Sequence, residues 1–283
     1  MSALSQIAEG NESLTEEQVK ELIARSLPAD DYAGKKTLLI VPDSTRTAPV
    51  GLLFKAIHTQ IGDCAAKLDV MIALGTHPPM SEEAICERRE ITLDERRSQY
   101  SAVQFHNHEW DNPGAMRRIG TIPASTIAEL SKGRFEMDVP VEINRTIYEY
   151  DQVIIAGPVF PHEVVGFSGG NKYLFPGISG PKILNFFHWL GAVTTNPMII
   201  GSKWTPVRKV VDHAGGLVDV DKRCFAMLVR PHNSLAGLCF GTPATAWDPA
   251  RGLSPPAPTP HNAKPSHTIT PTPPPTHADP RAG

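Results

Sequence analysis

Three short runs of apolar residues constrain the fold of this chain more than any other feature of its sequence. Turn residues bound each run, and the runs are Thr37–Val41, Leu68–Leu74 and Gln152–Ala156. A stretch with the apolar spacing of a helix, residues 52–61, separates the first two. Strands that are apolar along their whole length and alternate with helices are typical of buried parallel sheets. The sequence therefore predicts an α/β fold with a parallel or mostly parallel sheet and helices on both faces.

The chain divides by composition into one folded domain and a tail. Near the start, Thr15 and Gln18 have the spacing of a capping box, which predicts a helix that ends before Pro28. We expect residues 1–247 to form the α/β domain. From residue 248 the apolar pattern stops, and the segment 248–283 is rich in Pro, Thr and His. Such a segment buries too little surface to fold, so a disordered C-terminal tail is predicted.

Charge and hydropathy exclude several classes of protein. The 283 residues include 27 Lys and Arg against 30 Asp and Glu, a net charge of -3 without a basic block, so nucleic acid is not an expected partner. The first ten residues lack the apolar core of a secretory signal, and no run reaches membrane-spanning length. We therefore expect a cytoplasmic protein with no membrane partner. The four cysteines are far apart, and most are predicted to be buried free thiols.

Polar side chains follow the predicted strands at the edge where open α/β sheets bind ligands. Asp43, Thr45 and Arg46 come after the first strand, in a turn whose amides and hydroxyls suit a phosphate and whose arginine suits a phosphate or carboxylate. A simple helix cap beside an exposed arginine explains this turn equally well. His77 follows the second strand and can take or give a proton near neutral pH.

A glycine-rich loop follows the third strand. It contains His162 and then Gly169 and Gly170, which permit left-handed backbone and close approach of a ligand. Lys172 comes next, and a partly buried lysine would have a lowered pKa and serve as a nucleophile or an attachment point. The alternative is a plain connection with a solvated lysine. His188, on a predicted helix over residues 181–190, is either a core residue or, if Lys172 carries a cofactor, a metal ligand.

His106 and His108 form a second group of possible metal ligands, close to Glu109 and Asp111. Alternate residues of an extended segment share a face, so a zinc-dependent hydrolase is one reading of this group. No third ligand is fixed by the spacing. We therefore favour a polar surface loop anchored by Trp110.

Order and spacing of these motifs resemble the N-terminal domain of nickel-dependent lactate racemases and related 2-hydroxyacid racemases. His162 lies ten positions before Lys172, and His188 lies sixteen positions after it. The resemblance implies a nickel-pincer nucleotide, a pyridinium-derived mononucleotide joined to Lys172 as a thioamide, with His188 as the protein ligand to nickel. It also implies that His77 and His162 are the catalytic acid and base, and that the cofactor-binding residues include Asp43, Thr45, Arg46, Gly169 and Gly170.

The implied activity is the interconversion of the enantiomers of lactate or another 2-hydroxyacid by hydride transfer to the lysine-bound group. The implied partners are the small-molecule substrate and the proteins that make the cofactor. Members of the family continue into a second α/β domain with a Tyr-Gln-x-x-Lys segment, which this sequence lacks. Full catalysis by this chain is therefore not expected. A non-catalytic module that binds a nucleotide or metal is the alternative function.

Overall fold

The computed structural model of the chain describes residues 3–45, 47–194 and 199–253. Its strands are β1 (Leu4–Ile7), β2 (Lys36–Pro42), β3 (Lys67–Ala73), β4 (Phe105–Asn107), β5 (Met116–Ile122), β6 (Val139–Asn144), β7 (Gln152–Pro158), β8 (Pro161–His162), β9 (Gly166–Phe167), β10 (Asp221–Val229) and β11 (Leu235–Gly241). Its α-helices are α1 (Glu16–Ser26), α2 (Ala29–Tyr32), α3 (Val50–Ile61), α4 (Glu82–Arg89), α5 (Leu93–Arg97), α6 (Ala124–Leu130), α7 (Pro181–Thr194), α8 (Pro206–Gly216) and α9 (Pro243–Leu253).

Local sequence signals set where several helices begin. Thr15 and Gln18 form the predicted capping box at the start of α1, because each side chain bonds to the other residue's backbone N–H. Ser81 caps α4 in the simpler way, by accepting from Ala84 N–H. Thr205 caps α8, whose first residue is Pro206, where a missing N–H costs no helical hydrogen bond.

The central sheet has the strand order β1-β11-β10-β7-β2-β3-β4. Strands β10, β7, β2, β3 and β4 run parallel, whereas β11 is antiparallel to both of its neighbours. From β2 the chain proceeds outward to β3 and β4, and from β7 it proceeds the other way to β10. The strand order therefore reverses between β2 and β7, and such a switch point opens a crevice at the carboxyl ends of the strands.

Alternate side chains of each central strand enter two separate cores. In β2, Leu38 and Ile40 join a core with α7, α8 and α9, whereas Leu39 and Val41 join the core with α1 and α3. All four side chains are fully buried or nearly so. The sheet is therefore covered by helices on both faces, as the uniformly apolar strands predict.

The predicted α/β class with a parallel or mostly parallel sheet is confirmed, because β10, β7, β2, β3 and β4 run parallel and β11 is antiparallel to its neighbours. The expected domain boundary after Trp247 falls inside α9, which continues to Leu253 because Ala250 on the next turn is also buried. The remainder of the expected tail, 254–283, lies outside the described residues. Cys86, Cys224 and Cys239 are buried free thiols, and Cys64 is partly exposed.

Candidate functional site

A cavity of about 240 Å³ lies at the switch point, against the carboxyl ends of β2, β3 and β7. Most of the site residues predicted from the sequence line it together, although they come from distant parts of the chain: Asp43, Thr45, His77, His162, Gly169, Lys172 and His188. Gly170 does not line the cavity, and Arg46 lies outside the described residues. Topology, by bringing three strand ends to one edge, is what assembles this site.

The turn after β2 is built around Asp43, which is 5% exposed. Its Oδ1 accepts hydrogen bonds from the backbone N–H of Thr45 at 3.2 Å and from the Thr45 hydroxyl at 2.6 Å. From α4, Arg88 donates to the backbone carbonyls of Asp43 and Ala48, at 3.3 Å and 2.8 Å. The turn is therefore fixed from inside by its own aspartate and from outside by an arginine.

Asp43 also orients His77. The His77 Nδ1 atom lies 2.5 Å from Asp43 Oδ2, and the ring is about half exposed. An ionised carboxylate only accepts hydrogen bonds, so Nδ1 carries the proton in this pair. In the neutral ring, Nε2 is then left as a proton acceptor, which is the arrangement of an aspartate-histidine pair acting as a general base.

His162 is held in the other tautomer. Its side chain is buried, and its Nδ1 accepts the backbone N–H of Val164 at 3.1 Å. A neutral ring that accepts at Nδ1 carries its proton on Nε2. The Glu163 carboxylate lies 3.6 Å from the same Nδ1 atom and is largely exposed. His77 and His162 are therefore chemically distinct, since the free ring nitrogen is an acceptor in His77 whereas Nε2 carries the proton in His162.

Lys172 and His188 reach the cavity from opposite elements. Lys172 lies in a single 3-10 turn, Gly170–Tyr173, and is half-buried, whereas His188 lies on the exposed side of α7. Burial and then the charge of Lys172 lower the pKa of His188, and the Glu163 carboxylate opposes this shift. A lowered pKa favours the neutral imidazole, which is the form that ligates metals. Lys172 and His188 line the same cavity, and the positive amine opposes protonation of the imidazole.

Sequence reasoning missed several residues of the site. Arg88 lies on a polar stretch of α4, where nothing in the sequence links it to the turn after β2. Glu163 was overlooked although it adjoins His162, and the apolar wall formed by Leu184 and Phe187 follows directly from the predicted face of α7. The helical spacing of apolar residues in α7 was thus the one available sequence signal. It identified Leu184 and Phe187 as one apolar face but did not indicate that this face lines the cavity.

The expectation of a polar surface loop at His106 and His108 is wrong for His108, which is 1% exposed. Its Nε2 donates to the Ser179 carbonyl at 3.1 Å, and its Nδ1 accepts from Asn144 at 3.2 Å. Burial lowers the pKa of His108 to about 4. Both nitrogens are occupied by protein partners, which argues against the zinc hydrolase reading. Within the described part of the chain, no group of three or more His, Cys, Asp or Glu residues is arranged to hold a metal ion.

Among the helices that the structure describes, none combines the length and apolar character needed to cross a membrane.

Comparison with known proteins gives a family match over residues 5–198, to the model described as the lactate racemase N-terminal domain. Two curated lactate racemases are similar to the chain. The protein from Thermoanaerobacterium thermosaccharolyticum is 29% identical over 159 residues, 53% of this chain and 32% of the relative. The protein from Lactiplantibacillus plantarum is 24% identical over 160 residues, 55% of this chain and 33% of the relative. The match thus spans about one third of these relatives' length.

Solved structures share the fold over a longer stretch. A crystal structure of a protein from Thermotoga maritima matches 87% of this chain and 60% of its own, with a TM-score of 0.77 and 29% identity. The apoprotein of the Thermoanaerobacterium thermosaccharolyticum lactate racemase matches 85% of this chain and 55% of its own, with a TM-score of 0.66 and 21% identity. The architecture of strands and helices described above is therefore that of these proteins.

Proposed function

The chain belongs to the lactate racemase N-terminal domain family, and from this we propose that it acts on the enantiomers of lactate or a related 2-hydroxyacid. The observation that carries the proposal is the convergence of His77, His162, Lys172 and His188 on one cavity. These four residues come from two separate loops and a helix, and they meet at a strand-end crevice. Such a crevice is where an α/β sheet binds ligands.

The residues present fit a nickel-pincer nucleotide attached to the chain. Lys172 supplies an amine for covalent attachment, and His188 supplies an exposed imidazole whose lowered pKa keeps it in the ligating form. When bound, such a group supplies an acceptor for the hydride of the substrate. Asp43, Thr45 and Gly169 line the same cavity and would contact the group, and we expect Arg46 to join them.

Proton transfer falls to the two remaining histidines. His77 Nε2 takes the proton of the substrate hydroxyl, and the Asp43 carboxylate stabilises the imidazolium that results. His162 provides the second proton-transfer group that inversion requires, because the opposite enantiomer presents its hydroxyl to a different side. The Val164 N–H bond to His162 Nδ1 keeps the proton of the neutral ring on Nε2, from which it can be given to an alkoxide oxygen.

We further propose that the chain works in the cytoplasm with the proteins that synthesise the cofactor. The match covers about a third of the curated relatives. A module that binds a nucleotide or metal without turnover is therefore the second candidate.

Attachment at Lys172 is the step to test first. The chain is coexpressed with pincer-cofactor biosynthesis proteins, and intact mass and nickel content are measured for wild type and for Lys172→Ala. Lys182→Ala is the matched control, because Lys182 lies on α7 outside the cavity lining and bonds to Glu142 at 3.0 Å. We expect an added mass and nickel in wild type and in the control, and neither in Lys172→Ala.

His188→Ala separates attachment from metal binding. If His188 ligates nickel, this variant keeps the added mass and loses the metal. A folded wild-type protein that gains neither mass nor nickel would sink the proposal and favour the second candidate. In that case reversible binding of a nucleotide to the unmodified protein is the property to look for.

A further inference from the structure

The glycine turn that precedes Lys172 is held from behind by helix α8. Arg208 on this helix is 1% exposed, and its Nη1 donates to the Gly169 carbonyl at 3.1 Å. The same carbonyl accepts the backbone N–H of Lys172 at 3.3 Å. Arg208 does not line the cavity. It therefore acts on the lysine from outside the cavity, through a carbonyl oxygen that both residues share.

A second contact from α8 holds the turn one residue closer to Lys172. Asp212, one helical turn after Arg208, accepts from the arginine Nε at 3.0 Å and from the Asn171 side-chain amide at 3.1 Å. The Arg208–Asp212 pair thus binds the turn on either side of Gly170. Charge-assisted hydrogen bonds in a buried setting are stronger than neutral ones, so this pair fixes the backbone firmly.

Trp247 completes the support from α9. The guanidinium carbon of Arg208 lies 3.8 Å from the centre of the indole ring, and the indole N–H donates to the Ser168 carbonyl at 2.8 Å. Stacking on the ring fixes the plane of the guanidinium, and with it the direction of the bond to Gly169. A lysine ammonium has no plane to fix in this way.

The Arg208 guanidinium approaches the turn closely, and this helps to explain why residues 169 and 170 are both glycine. Gly170 has a φ of +60°, and a Cβ atom at this position would lie 2.9 Å from Arg208 Nη2 and 3.0 Å from the Pro243 carbonyl oxygen. Gly169 has a φ of +85°, and its Cβ would meet a Val159 methyl at 2.6 Å. The pair of glycines therefore permits the close contacts with Arg208 and Val159 as well as the approach of a ligand.

We propose that Arg208 is a positioning residue for Lys172, which fixes the glycine turn so that the lysine amine stays on the cavity wall. The inference rests on the proposed function, because the placement of this amine matters only if the amine reacts. It adds a residue outside the cavity to the machinery. Misplacement of a reacting group by about 1 Å can reduce the rate of a reaction about 100-fold, so a rigidly held turn favours the reaction of Lys172.

The test measures the reactivity of Lys172 in the protein without cofactor. Trace acetylation followed by peptide mass spectrometry gives the labelling rate of Lys172 relative to Lys20, whose side chain is 57% exposed. We compare wild type with Arg208→Met, Arg208→Lys and Asp212→Asn. The matched control is Arg251→Met, because Arg251 also lies near the Trp247 ring, at 5.9 Å, but bonds to Asp248 and not to the turn.

Without the hydrogen bonds from the Arg208–Asp212 pair, the glycine turn is less restrained and the half-buried Lys172 amine becomes more accessible. We therefore expect the ratio of the Lys172 to the Lys20 labelling rate to rise about threefold or more in Arg208→Met and Asp212→Asn. Arg208→Lys retains a charge and a donor and should lie closer to wild type than Arg208→Met does. The ratio should not change in Arg251→Met. Unfolding temperature is measured for each variant, and Asp212, which is 34% exposed, provides a variant that folds if Arg208→Met does not.

An unchanged ratio in folded Asp212→Asn, and in Arg208→Met where that variant folds, would overturn the inference. A second readout is the fraction of Lys172 that carries the added mass after coexpression, which should fall about tenfold in Arg208→Met. If wild type itself acquires no added mass, the proposed function fails, and the labelling ratio still judges the role of Arg208.

Discussion

Arg89 is a charged side chain in the interior of the protein. It is fully buried on α4, and none of its three guanidinium nitrogens has a hydrogen-bond partner among the described residues. Burial lowers its pKa to about 9, so the group remains charged at neutral pH. A buried charge without a partner destabilises a fold, and an apolar side chain of similar length relieves that cost.

We therefore expect Arg89→Met to raise the free energy of unfolding by about 1–3 kcal/mol. Methionine keeps the helix propensity and most of the length of arginine. Urea denaturation followed by circular dichroism measures the change. Arg97→Met, an exposed position at the end of α5, is the control and should change stability by less than about 0.5 kcal/mol. A destabilised Arg89→Met would mean that the guanidinium has a partner such as bound water or an anion.

His108 makes the stability of the protein sensitive to pH. Its pKa is lowered from 6.5 to about 4, because burial disfavours the charged ring. Between pH 6.5 and pH 4 the unfolded chain binds a proton at this histidine and the folded chain does not. The contribution of His108 to the free energy of unfolding is therefore complete above pH 6.5 and is lost as the pH falls towards 4.

Replacing this histidine should flatten the pH profile. Between pH 7 and pH 4.5 we expect wild type to lose about 2 kcal/mol more stability than His108→Gln. His213→Gln, at an exposed position of α8, is the control and should lose as much as wild type. Equal pH profiles for wild type and His108→Gln in urea denaturation would contradict the assignment.

At the scale of elements, the apolar periodicity of the sequence predicted the buried strands and helices. It did not predict the positions that depend on polar contacts between distant residues. The central strands and α7 were predicted because apolar spacing reports burial. Residues 235–241 were not interpreted as a strand, so β11 and its antiparallel pairing with β10 were not predicted. His108 was misplaced for a related reason: a polar segment reads as surface, whereas here Asn144 and Ser179 satisfy it inside the fold. Contacts between residues far apart in sequence are invisible to a local pattern.

The end of helix α9 also could not be predicted from the apolar pattern of the sequence. The apolar pattern weakens after Trp247, yet Ala250 is fully buried and Asp248 pairs with Lys203 at 2.5 Å. A small apolar residue and a charge carry little weight in a sequence pattern. In the structure they extend the helix that supports the glycine turn through the Trp247 indole.

Truncation should reveal the true boundary. A chain ending at residue 253 is expected to unfold at the same temperature as the full chain. A chain ending at Trp247 should unfold at least about 5 °C lower, because it keeps less than half of α9. Thermal unfolding followed by circular dichroism compares the three proteins. Equal temperatures for all three would show that the last turns of α9 contribute nothing.

At the scale of the whole molecule, the cavity is open on the side of α7. His188 and Trp189 are both exposed there, and the Glu163 carboxylate at the rim is 58% exposed. Hydride transfer is sensitive to water and to the orientation of substrate, and an open rim controls neither.

Attachment of the cofactor and turnover should therefore separate in this protein. We expect the loaded chain to racemise L-lactate at least about 100-fold more slowly per nickel than the Thermoanaerobacterium thermosaccharolyticum enzyme loaded in the same way. Chiral chromatography of the lactate measures the rate, with Lys172→Ala as the background. Normalising to nickel removes differences in loading, so a low rate reports on the open cleft alone. Rates within about tenfold of the relative would mean that the residues around this cavity suffice to orient the substrate and exclude water.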